Sequence, residues 1–460
     1  MKRTILLGVT LLLLYPVRAQ SVQPFRHGDR VALVGNSITH GGRYHAYLWL
    51  YYMTHFPNRR ITLYNCGIGG DMAGGMLQRL TTDVFSKDPT IIFLTFGMND
   101  SGYAEFLQSN SNELADKNVA RSHKDYQLIE EELTRYRKAK KVIISSSPYD
   151  ETAKISAPVY PGKNNTILRI ADFQRASALT NQWGFIDLTR PITALNLKGQ
   201  QQDSTFTLTG KDRIHPDVDG YLAMTYFILK AQGLAGDPVA RVGIDVQGAK
   251  VFQSANCTVS KLSVSPSHIR FHYLANALPF PIDTAFSSWN SRRASDALKW
   301  IPFMEEFNNE RFIISGLKKG DYLLRINGDS IGVWSHQQLA QGINLALQTN
   351  TPQYRQAEAL RILNEDRWML EMKLRGYYWI QYMYFRDKGM LFNDDPAAVA
   401  DVTREATHNI YVAAHLENYL KGHHKAVRDG WIAEMQALTN KIYANNKPRQ
   451  QEIEIVPLTP

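Results

Sequence analysis

Cysteine is nearly absent from this chain: Cys66 and Cys257 are the only two among 460 residues. That excludes a disulfide-stapled scaffold and a cysteine-rich metal centre. The pair can bridge to each other or remain separate thiols. Long apolar runs are missing as well. After the first twenty residues, no segment approaches the ~20 consecutive apolar residues that a membrane span requires. Basic residues do not gather into a run interleaved with aromatics, which argues against nucleic-acid binding. Repeats and low-complexity tracts are also absent.

The one apolar run that does occur, Ile5–Leu14, follows Lys2 and Arg3 and precedes Val17-Arg18-Ala19. This is the pattern of a secretory signal peptide (residues 1–19) cut near Ala19 or Gln20, and it implies a secreted or periplasmic protein. No cysteine stands at the cleavage point to carry a lipid. Removing Lys2, Arg3 and Arg18 takes the formal charge from +9 to +6, an excess that permits an acidic substrate without demanding one. The 44% hydrophobic and 21% charged content is that of a soluble globular protein. The length calls for two or three domains.

From Arg30 onward, β-rich runs alternate with helical stretches. The predicted strands are Arg30–Gly35, Arg60–Asn65, Thr90–Phe96, Lys141–Ser146 and Phe185–Asp187. The predicted helices are Tyr44–His55, Met72–Ser86, Ser122–Arg137, Ile167–Trp183 and Val218–Ala231. Continuous Val, Ile and Phe runs suit parallel strands buried on both faces. The alternation predicts a three-layer α/β/α sheet domain over 20–236, with function at the carboxyl ends of its strands. Period-two alternation in His268–Tyr273 and the Asn327-Gly328 turn predict a small antiparallel, sandwich-like β domain at 239–336. Residues 337–446 read as helical, with long helices at Glu358–Arg386, Val399–Leu420 and Ala426–Ala444. The aromatics Tyr377, Tyr378, Trp379, Tyr382, Tyr384 and Phe385 read as buried helix surface, with a sugar platform as the alternative. The tail, 447–460, reads as extended or loose.

Four short motifs carry chemistry. Ser37, in Gly35-Asn36-Ser37-Ile38-Thr39, directly follows the first strand, and Gly35 allows a sharp turn that exposes it. Its hydroxyl needs a positioned base. His215, before Pro216 at a helix start, is the candidate base. Asp212, three residues earlier, can turn back to hold its other ring nitrogen. The other two motifs, Asn65–Asp71 and Gly97–Asp100, follow the second and third strands. A lipase elbow would need glycine on both sides of the serine. Thr39 stands where the second glycine belongs, and an acid only three residues before the histidine is equally foreign to that fold.

The segment from about Arg30 to Leu229 instead resembles the SGNH, or GDSL-type, hydrolases, whose domain is flavodoxin-like. The resemblance implies that Ser37 is the nucleophile, with Asp212 and His215 completing the triad. It also implies that the Ser37 and Gly70 N–H groups and the Asn99 amide form an oxyanion hole. Asn36 stands where the family usually has aspartate. Neither a metal nor an organic cofactor is implied. Among such hydrolases the chain resembles secreted bacterial carbohydrate esterases. The expected substrate is therefore an O-acetylated polysaccharide or oligosaccharide, with Asn36, His40, Asp71 and Ser101 as polar pocket residues. Two alternatives stand beside it: a methyl esterase on pectin-type uronic acid chains, and an inactive glycan-binding protein.

Overall fold

The computed structural model describes residues 21–265, 268–287 and 291–458, so the expected signal peptide lies outside the described residues. The first sheet contains β1 (Arg30–Gly35), β2 (Thr62–Gly67), β3 (Ile91–Phe96), β4 (Lys140–Ser145) and β5 (Gly184–Ile186). All its pairings are parallel, in the order β2-β1-β3-β4-β5. Alternate residues serve opposite cores: Val31 and Leu33 join one cluster, Ala32 and Val34 the other. The helices Arg43–His55 and Val218–Ala231 pack on the first face, Ala73–Arg79 and Ser111–Arg135 on the second. Burial on both faces is why these strands read as unbroken apolar runs. The chain leaves β1 for one neighbour and returns to the other, so a crevice opens at the carboxyl end of β1.

Several helices differ from expectation; the one expected at Met72–Ser86, for example, is α-helical only over Ala73–Arg79 and runs on as a π turn, Leu80–Val84. Ser111–Arg135 begins well before Ser122, because its first turns are solvent-facing and are held by pairs such as Lys117–Glu113 instead of by apolar periodicity. Thr189–Gln200 is a helix that the sequence reading missed.

Beyond Pro238 two further sheets enclose a core of their own, with Val242, Phe271, Phe312, Leu324 and Ile455 at its centre. The strands are β6 (Ala240–Asp245), β7 (Lys250–Ala255), β8 (Cys257–Val264), β9 (Ile269–Ala275), β10 (Glu310–Ser315), β11 (Asp321–Ile326), β12 (Asp329–Ser335), β13 (Ile343–Asn344) and β14 (Gln451–Pro457). Their orders are β13-β10-β6-β7 and β12-β11-β14-β9-β8. The expected antiparallel pattern has one exception: β6 and β10 pair in parallel. The long excursion between β9 and β10 permits this, since parallel neighbours need a crossover. That excursion buries Leu278, Phe280, Phe303 and Phe307 against Tyr47 and Tyr51 of the first domain. The tail is not loose: β14 sits inside the five-stranded sheet, between β11 and β9. Both cysteines are free thiols.

The helical region starts with Pro352–Trp379, capped by Thr351, and continues through a π turn at Ile380–Phe385. The span expected as one helix, Val399–Leu420, is two: Pro396–Glu405 and Ile410–Gly422. Asn409 makes the break, its side chain accepting the N–H groups of Tyr411 and Val412. Lys425–Asn445 closes the region. Among the described residues, no helix is long and apolar enough to cross a membrane.

Glu310 sits where the β sheets meet the long helix. It is fully buried, and its Oε1 accepts from Tyr273 Oη at 2.8 Å and Gln353 Nε2 at 3.0 Å. Its Oε2 and Gln353 Oε1 have no donor among the described residues. Burial pushes this carboxyl up to about 7, against the pull of the two hydrogen bonds. The folded state therefore keeps a proton that the unfolded chain releases above pH ~4.5. The contribution is fully present below that pH and lost as the pH rises through about 7. Between about pH 5 and pH 8, the melting temperature of the wild type is expected to fall more steeply than that of Glu310→Gln. Equal slopes would contradict this account.

Candidate active site

Asn36 is the N-cap of a one-turn helix, Ser37–His40, and its Oδ1 accepts the Ile38 N–H at 3.1 Å. Asparagine thus does here the local work that a short carboxylate could do, because capping needs only an acceptor. The turn presents Ser37 Oγ 2.8 Å from His215 Nε2. His215 Nδ1 lies 2.6 Å from Asp212 Oδ2. With the proton on Nδ1, Nε2 is left to accept from the serine hydroxyl. The three-residue spacing works because Asp212 Oδ1 also takes the backbone N–H groups of Ile214 (3.0 Å) and His215 (2.9 Å). Burial pushes the Asp212 carboxyl up, and the His215 contacts outweigh it, holding the group below its usual range.

Arg213, between the two, has φ +69°, a conformation that costs energy outside glycine. Its buried guanidinium donates to the carbonyls of Asp150, Ala153, Ile155 and Ala157, which anchors the strained loop. Nothing in the local pattern marks this role, since the four carbonyls come from a distant stretch.

Gly70 and Asn99 follow the two strands that flank β1. Gly70 has φ +82°, and a Cβ there would stand 3.3 Å from Met383 Cε. Among the described residues, neither the Ser37 N–H nor the Gly70 N–H has an acceptor. Asn99 Nδ2 donates one hydrogen to Asp71 O at 2.8 Å, leaving the second. Tyr103 Oη donates to Asn99 Oδ1 at 2.6 Å and so fixes which end of the amide is the nitrogen. Lys163, wholly buried, braces the same loop through Met98 O, Ser101 Oγ and Gly102 O. Its ammonium also lies 3.7 Å from the centre of the Tyr103 ring. Burial pushes Lys163 down to about 7.

A model of the GDSL-like lipase/acylhydrolase family matches residues 33–223, and one of the diltiazem deacetylase C-terminal helical domain matches 358–447. A solved gut microbial diltiazem-metabolizing enzyme is 44% identical, covering 96% of this chain and 100% of its own, with a TM-score of 0.93. The chain belongs to the GDSL-like lipase/acylhydrolase family. The acetylxylan esterase Axe2 from Geobacillus stearothermophilus is 18% identical over 45% of this chain and 95% of its own, with a TM-score of 0.37. LAE5, an alpha/beta hydrolase from a Lake Arreo metagenome, is 20% identical over 45% of this chain and 97% of its own, at 0.36. No curated protein matches at significance. As a member of this family the chain is a carboxylic ester hydrolase.

In this acylhydrolase, Ser37 and His215 open into a cleft of about 660 Å³. Its walls come from all parts of the chain: Arg43 and Tyr221 from the sheet domain, Asp283 and Phe286 from the β9–β10 excursion, Glu365 and Trp368 from the long helix. The polar residues expected to line a pocket do not line this one. Asn36, His40, Asp71 and Ser101 are at most 7% exposed. His40 Nδ1 accepts the Gly69 N–H, Asp71 pairs with Arg79, and Ser101 binds Lys163. Loops that turn inward at a sheet edge use their short polar side chains to satisfy backbone groups.

Replacing Asn99 by Ala is expected to lower kcat by at least ~10-fold, while Tyr103→Phe costs less, about 3-fold, with KM little changed in both. A Tyr103→Phe loss exceeding that of Asn99→Ala would contradict the order of dependence.

Proposed function

We propose that this chain is a serine esterase that removes acetyl groups from a ring-bearing alcohol of modest size. Ser37 Oγ attacks the ester carbonyl while His215 Nε2 takes its proton and Asp212 steadies the imidazolium. The developing oxyanion is met by the Ser37 and Gly70 N–H groups and the second Asn99 amide hydrogen. Collapse returns the proton to the alcohol, and water clears the acyl-serine through the same groups. The observation that carries the reading is the Ser37–His215–Asp212 chain at 2.8 and 2.6 Å, whose Ser37 and His215 line the cleft.

Acetyl as the acyl group is supported by the C-terminal match to a domain named for a deacetylase. A compact alcohol is supported by a cleft of about 660 Å³ lined from three parts of the chain, and by likeness along the whole chain to an enzyme that metabolizes diltiazem. The polar rim of Arg43, Asp283, Ser287 and Glu365 favours a second reading, an acetylated oligosaccharide lying across Phe286 and Trp368. The N-terminal pattern supports export, with a mature chain starting near Gln20. Methyl esters of uronic acids fit less well, since Asp217, Asp283 and Glu365 place more negative than positive charge along the cleft.

The test is acetate and methanol release from acetylated small ring alcohols, acetylated xylo-oligosaccharides and methylated polygalacturonate. Acetate release that falls at least ~10³-fold in Ser37→Ala is expected. Methanol release alone, or equal activity in Ser37→Ala, would overturn the reading.

A further inference from the structure

Gly70 is the weak point of the oxyanion hole described above. The Gly69–Gly70 peptide joins two residues without side chains, the second at φ +82°, so sterics alone do not choose its orientation. A trans peptide is planar, and its C=O and N–H point in opposite directions. Whatever grips the Gly69 carbonyl therefore aims the Gly70 N–H. That grip comes from the other end of the chain. Trp379 Nε1, in the last turn of the long helix, donates to Gly69 O at 2.9 Å. The Gly69 N–H is held in turn by His40 Nδ1 at 3.1 Å.

The surroundings fix the indole. Trp379 is 7% exposed and stacks on His415 with ring centres 4.5 Å apart, and His415 stacks on His40 at 5.4 Å. Four residues before Trp379 on the same helix, Arg375 Nε donates to Gly67 O at 3.1 Å. One helix thus holds two alternate carbonyls of the turn that ends in Gly70.

We infer that Trp379 is a positioning residue for ester hydrolysis, whose indole N–H sets the Gly69–Gly70 peptide so that the Gly70 N–H faces the oxyanion. The helical region then acts on the chemical step as well as walling the cleft. The inference rests on the proposed role of Gly70 as an oxyanion donor.

Trp379→Phe keeps a ring and removes the donor. Benzothienylalanine at position 379 keeps the indole outline and removes the same N–H, and it covers the case in which Trp379→Phe does not fold. In either variant kcat for acetate release is expected to fall about 10-fold, with KM within about 2-fold. The rate of Ser37 capture by a small alkyl phosphonate ester, whose phosphoryl oxygen takes the oxyanion's place, is expected to fall by the same factor. Wild-type kcat in the benzothienylalanine protein, or a loss confined to KM, overturns the inference. Asn99→Ala separates the two levels. If it lowers kcat while the position-379 variants do not, the positioning role fails and the oxyanion hole stands. If neither has an effect, the hole itself is misassigned.

Discussion

Asp83 has no exposed surface, and both of its carboxylate oxygens are held by arginines from opposite ends of the chain. Arg375, on the long C-terminal helix, meets Oδ1 and Oδ2 at 2.8 and 2.9 Å. Arg79, from the first domain, meets Oδ2 at 2.6 Å and reaches on to Asp71, Cys66 O and Gly35 O. Burial alone would raise the Asp83 carboxyl, but the charges of Arg375, Lys87 and Arg79 outweigh it and keep the group ionised. Charges this deep are tolerable only when every partner is in place. The carbonyls that the two arginines bind are those of Gly35, Cys66 and Gly67, the ends of β1 and β2. The strand ends that carry Ser37 and Gly70 are therefore fixed by the same contact that docks the helical region.

That contact explains why the added regions do not behave as appendages. Leu278, Phe303, Ala357 and Ile442 share a core with the sheet domain, while Ile68 belongs to the core of the helical region. β14 returns the end of the chain to the middle of a sheet begun two hundred residues earlier, so the helical region is held at both of its ends. The cleft is built from all three parts.

Those parts of the site written in local sequence were legible. A buried strand followed by a turn placed the motifs of Ser37, Gly70 and Asn99 at neighbouring strand ends of one parallel sheet, while the oxyanion roles of Gly70 and Asn99 came from the family resemblance. The Asp212–His215 spacing was legible because one loop closes on itself. What escaped was set by contacts between distant segments. Arg213 looks like a surface arginine until four remote carbonyls surround it. Phe286, Glu365 and Trp368 reach the cleft only through docking. The aromatics from Tyr377 to Phe385 were correctly read as largely buried, but no periodicity could reveal that Trp379 spends its N–H on Gly69. The pocket assignments of His40, Asp71 and Ser101 went wrong because nearness in sequence to a reactive residue says nothing about which way a short side chain turns.

One buried charge contact thereby couples the helical region to the chemistry proposed for Ser37. A double-mutant cycle with Asp83→Asn and Arg375→Gln, read in both melting temperature and kcat, tests it most directly. Asp83→Asn leaves the buried Arg375 without its carboxylate, and Arg375→Gln removes the group that grips both Asp83 oxygens; each is expected to cost about 3–5 kcal/mol, with a parallel loss of kcat. The double variant is then expected to be no worse than the worse single, a coupling of at least ~1 kcal/mol. Losses that simply add, or single variants that melt early yet turn over at the wild-type rate, would contradict it.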